Sequence, residues 1–91
     1  MLSTFSTKEY EKSLKKYLKN KKFSLSKLES IIVKLQNQTP LDKQFQDHSL
    51  KGKLAHMREC HIYPDILLVY EVVEKELILI LVRLGSHSEL F

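Results

Sequence analysis

The hydrophobic period of this chain changes once, near its middle, and that change limits the fold more than any other feature. Before Pro40 the apolar residues recur at helical spacing: Tyr10, Leu14, Tyr17 and Leu18, then Leu25, Leu28, Ile32 and Leu35, with Ile31 beside them. After it, Ile66 to Val73 and Leu77 to Arg83 are apolar, partly β-branched runs parted by Glu74-Lys75, which reads as an antiparallel hairpin. Leu54 to Ile62 mixes polar and apolar residues, as a strand with one wet face does, and Tyr63-Pro64-Asp65 is the turn that follows it. Leu2 to Phe5 can add a short edge strand. Helices first and a meander afterwards predict an α+β fold, an N-terminal helical hairpin packed on one face of a small antiparallel sheet. The other face is then free for a ligand.

Local signals sharpen the helix ends. Ser6-Thr7-Lys8-Glu9 reads as a capping box with Ser6 as N-cap and with Phe5 and Tyr10 at the staple positions. Ser26-Lys27-Leu28-Glu29 reads as a second box. Thr39-Pro40 closes the second helix, because the residue before a proline avoids the helical region.

Length and charge bound the rest. Residues 1–91 make one domain, and a chain this short buries about 60–65% of its unfolded surface. The net charge of +4 is uneven: residues 1–35 hold nine Lys against three Glu, whereas residues 36–91 hold six Lys or Arg against eight Asp or Glu. A basic N-terminal half fits a polyanion or an acidic protein partner, and equally a solvated helix face. Cys60 is alone, so no intramolecular disulfide forms. The start has no apolar stretch of the signal-peptide kind, and Leu77 to Val82, the longest apolar run, is too short to span a bilayer. A cytoplasmic protein without a membrane partner is expected.

The residues able to carry chemistry gather in the second half: His48, Arg58, His61, Asp65, Arg83, His87 and Phe91. Histidine moves protons near neutral pH, arginine holds a phosphate, and an aromatic ring stacks on a base. Alternation along a strand puts Arg83 on the face of Leu81 and Leu79, Arg58 with His56 and Cys60, and His61 with Glu59 and Met57. Gathered on one face, these groups suit metal-free RNA cleavage, in which a base activates the ribose 2′-OH, arginine stabilises the phosphorane and an acid protonates the leaving oxygen. Scattered, they are ordinary surface, turn and strand-end residues. Cys60 and His61 are adjacent in a strand and so point to opposite faces, which argues against a thiol nucleophile. His48, His61, Asp65 and His87 lack the tight spacing of a zinc site. No metal and no cofactor is expected.

Four strings add more than composition does. Asp47-His48-Ser49-Leu50-Lys51-Gly52, Arg58-Glu59-Cys60-His61-Ile62-Tyr63-Pro64-Asp65, Leu67-Leu68-Val69-Tyr70, and Arg83-Leu84-Gly85-Ser86-His87-Ser88-Glu89-Leu90-Phe91 together resemble the YafQ-type toxins of the RelE/ParE superfamily. The resemblance implies a type II toxin that cleaves mRNA, usually on a translating ribosome, and that is neutralised by an antitoxin. It implies His48, His61, Asp65, Arg83 and His87 as catalytic positions. Among these His87 is the general acid, Asp65 or His61 the base or its orienter, and Arg83 the phosphate holder. Arg58 and Phe91 are the substrate-binding positions. Ile66 stands where the family carries an aromatic residue, so one stacking contact is missing. A non-enzymatic relative of the ParE kind, which binds DNA gyrase, is the alternative on the same scaffold.

Overall fold

The computed structural model describes the whole chain, Met1 to Phe91. Its elements are β1 (Ser3–Ser6), α1 (Lys8–Leu18), α2 (Leu25–Gln36), β2 (His48–Ser49), β3 (Arg58–Tyr63), β4 (Ile66–Val73), β5 (Ile78–Gly85) and α3 (His87–Leu90). Short 3-10 turns lie at Lys43–Phe45, Gly52–Leu54 and Glu74–Glu76. The five strands form one sheet in the order β1-β5-β4-β3-β2. The strands β2 to β5 pair antiparallel, as expected, but β1 runs parallel to β5, so the sheet is mixed. A parallel pair needs a long crossover connection, and everything from α1 to β4 supplies it.

The helices cover one face of the sheet, α1 against β5 and α2 against β3. Between the layers lies the core, with Tyr10, Leu28, Ile31, Cys60, Leu68 and Leu79 among its buried members. The central strand β4 is buried on both faces at Leu67, Leu68, Val69 and Tyr70, which is why its sequence is an unbroken apolar run. No helix is long and apolar enough to cross a membrane.

Tertiary contacts move several helix ends from where local pattern puts them. Ser6 stays in β1 opposite Leu81, and Thr7 becomes the N-cap of α1, its Oγ1 accepting the Tyr10 N–H at 3.0 Å. Phe5 is 62% exposed, so it forms no staple with buried Tyr10. The cap of α2 is Ser24, which accepts from the Lys27 N–H at 3.2 Å, while its own N–H is held by the Tyr63 hydroxyl. Ser26 therefore lies inside the helix. Leu25 is exposed, and Ile31 rather than Ile32 is the fully buried member of the stripe with Leu28 and Leu35. The helix α2 stops at Gln36, before the proline, where Gln38 turns left-handed at φ 53°. The strand β3 starts only at Arg58, because Gly52–Leu54 is a turn.

One irregularity sets the site. Tyr70 faces Leu81, but the next residue, Val69, faces Arg83, so β5 carries a bulge there. Thr7 occupies it: its N–H donates to the Leu81 carbonyl at 3.1 Å and its hydroxyl to the Val82 carbonyl at 2.6 Å. The bulge breaks the alternation that would have put Arg83 beside Leu81 and Leu79. Those two leucines are in the core, and Arg83 turns to the opposite, helix-free face.

Candidate active site

Residues directly opposite on paired strands share a face. The register His48↔Glu59, Glu59↔Val69 and Val69↔Arg83 therefore lays a row across four strands on the helix-free face. The next row is His61↔Leu67↔Gly85, and Gly85 leads through Ser86 into the short α3 that begins with His87. Glu59, His87 and Phe91 line one cavity of about 340 Å³ with Leu50, Lys51 and Leu54 from the loop after β2. The His87 and Phe91 rings stand 5.1 Å apart, tilted by 42°.

Glu59 is the centre of this arrangement and was missed as a candidate. Alternation had already put it on the face of His61. What sequence did not offer was the register that brings His48 opposite it. Glu59 is only 8% exposed. Its Oε1 lies 2.9 Å from His48 Nε2, while its Oε2 is buried and unpartnered, as is Arg83 Nε. His48 Nδ1 is 2.6 Å from the Gln46 carbonyl oxygen. A carbonyl cannot donate, so His48 Nδ1 carries a hydrogen towards Gln46. His48 and Glu59 thus form a close pair that leaves only Glu59 Oε2 free. The backbones of Glu59 and Arg83 are two strands apart, about 10 Å from ordinary strand spacing, a gap that one phosphate and two long side chains can bridge.

The other candidates are arranged differently. His61 keeps the face of Glu59 but points its Nδ1 at the Pro64 carbonyl oxygen, 3.2 Å away, and opens on a separate cavity with Lys27 and Gln44. Asp65 sits exposed in the turn and lines a third cavity with Asn20, Lys22 and Phe23. Arg58 is not brought to the pocket at all. It lies on the helix side, where its Nε donates to Asp47 Oδ1 and to the Tyr70 hydroxyl, each at 3.3 Å, and Tyr70 in turn donates to Asp47. Desolvation, followed by the bond to Asp47, raises the Tyr70 pKa and keeps that hydroxyl protonated. Burial pushes the Cys60 thiol up to about 12, which removes it as a nucleophile.

Set beside known proteins, the chain matches, over residues 2–91, the family described as bacterial toxin of type II toxin–antitoxin system, YafQ. The mRNA interferase toxin YafQ of Escherichia coli K12 is 34% identical over 84 residues, which span 91% of this chain and 88% of the relative. A metal-bound toxin from Helicobacter pylori has the same fold, with TM-score 0.94 and 47% identity over the full length of both chains. A chain of the Escherichia coli DinJ–YafQ toxin–antitoxin complex superposes with TM-score 0.86 at 30% identity, over 99% of this chain and 97% of that one. In this chain no three His, Cys, Asp or Glu side chains converge closely enough to hold an ion.

Proposed function

Since this chain belongs to the YafQ family of toxins of bacterial type II toxin–antitoxin systems, we propose that it is an endoribonuclease which cleaves mRNA by general acid–base catalysis in the pocket between Glu59 and His87. The observation that carries this reading is the pocket itself: a buried carboxylate and an imidazole face one cavity, and Glu59 Oε2 and Arg83 Nε are left without partners. A buried polar atom without a hydrogen bond costs about 1–3 kcal/mol, so both atoms gain when a ribose hydroxyl and a phosphate arrive.

Glu59 accepts the 2′-OH proton through Oε2, with His48 holding Oε1. The 2′-oxygen attacks the adjacent phosphorus. Arg83 and Lys51 meet the charge that gathers on the phosphorane. His87 protonates the departing 5′-oxygen, which leaves a 2′,3′-cyclic phosphate and a free 5′-hydroxyl. Phe91, stacked near His87, walls in a base. The role of base thus passes from Asp65 or His61 to Glu59, and His61 and Asp65 serve the RNA strand where it leaves the pocket. The lysines of residues 8–34 dock the protein on ribosomal RNA, the antitoxin is a cognate protein encoded with the toxin, and the cytoplasm is where all three meet.

The test is cleavage of RNA by the purified toxin with and without ribosomes, followed by analysis of the product ends. Cyclic phosphate ends are expected, and a chelator should leave the rate unchanged. Absence of cleavage in both settings would overturn the proposal in favour of a non-enzymatic poison.

A further inference from the structure

His87 sits on an element too short to hold itself in place. The four residues of α3 form little more than one turn, at the end of the chain and beside an exposed Phe91. An isolated turn of this length is unstable in water. What fixes it is Glu89. Its Oε1 accepts the Ser86 N–H at 2.8 Å, completing a capping box, and accepts the Tyr17 hydroxyl at 2.6 Å. Its Oε2 takes the Lys16 ammonium at 2.8 Å. Tyr17 and Lys16 belong to α1, more than seventy residues earlier in the chain. Gly85 leaves the necessary room, since a Cβ there would stand 3.2 Å from Glu89 Oε1 and 3.3 Å from Leu90 Cδ2. The Lys16 and Ser86 bonds hold the Glu89 carboxyl well below the usual range, so the carboxylate form is the one the clamp uses.

We infer that Glu89 is a positioning residue for RNA cleavage, tying the turn that carries His87 and Phe91 to Lys16 and Tyr17 of α1. This rests on the nuclease reading above. Glu89 touches neither Glu59 nor the reacting atoms; it acts through the turn. Losing it should let His87 wander by about an ångström, enough for a loss on the order of 10²-fold in turnover. Binding of RNA, which draws mainly on Arg83, Lys51 and the lysines of α1, should weaken only through Phe91.

The experiment compares the wild type with Glu89→Ala, Glu89→Gln and Tyr17→Phe. For Glu89→Ala, kcat should fall on the order of 10²-fold while KM stays within about threefold. Glu89→Gln keeps the acceptor for Ser86 and Tyr17 and should recover most of the lost turnover. Tyr17→Phe should fall between Gln and Ala. In parallel, the His87 ring resonances should broaden and the amides of residues 87–91 exchange faster in Glu89→Ala, with the rest of the spectrum unmoved. Wild-type cleavage with an undiminished Glu89→Ala kcat overturns the clamp alone. A kcat loss that merely follows the unfolded fraction from thermal melts overturns it too. No cleavage by the wild type overturns the nuclease reading and takes the positioning role with it.

Discussion

In the proposed mechanism a single carboxylate carries most of the chemistry. Glu59 is buried, lies against His48 and lines a small cavity with His87. Glu59→Gln keeps the shape and removes the base, so turnover should fall by about 10²–10⁴ with the melting temperature little changed, as read by RNA cleavage and calorimetry. His87→Ala should cost a similar factor. Cys60 should be inert: with its pKa near 12 it stays protonated, so iodoacetamide should label it only after denaturant unfolds the chain. The sequence singled out His48, Arg83, His87 and Phe91, and the fold brings all four to the helix-free side of the sheet. The sequence misled on Arg58, whose partners Asp47 and Tyr70 lie on the helix side of the sheet and come close only after folding. Glu59 stayed hidden for the same reason: its importance is a matter of which residue lies opposite, and strand register is not written in either strand alone.

At the level of elements, Thr7 does three things at once: it caps α1, and it satisfies two carbonyls exposed by the bulge of β5. Thr7→Val preserves shape and deletes the hydroxyl, so stability should drop by about 1–2 kcal/mol in chemical denaturation. Because the bulge aims Arg83 at the open face, cleavage should fall further than the loss of folded protein accounts for. The α3 turn should respond to acid. Glu89 has a folded pKa below its unfolded value, so its contribution is complete above the ordinary glutamate value of about 4.3 and fades as pH falls towards the lowered one. The melting-temperature gap between wild type and Glu89→Gln should therefore be level at neutral pH and close in acid; a gap that widened in acid would contradict the assignment. Sequence placed the strand Ile66–Val73 to the residue, since burial on both faces leaves an unambiguous apolar run. It misplaced both long-helix caps. Several Ser and Thr residues near each start compete on local grounds, and contacts with β5 and Tyr63 choose among them.

Considered as a whole, the molecule separates its tasks by face. The pocket lies on the helix-free side of the sheet, while nine lysines sit within residues 1–35, which form β1 and the two long helices. If those lysines meet RNA phosphates, affinity should fall with salt at a log–log slope of about −0.7 per contacted phosphate on single strands, measured by titration with the Glu59→Gln protein. The pairing of β1 with β5 links Ser3–Ser6 to residues 78–81, nearly the full length of the chain. Contacts between such distant partners form late, because the intervening loop must close first. A polypeptide still being synthesised has no β5 for its opening strand to join, and no α3 to bring His87 into the pocket. The site therefore completes only when residues 78–91 join a sheet whose other strands are already made.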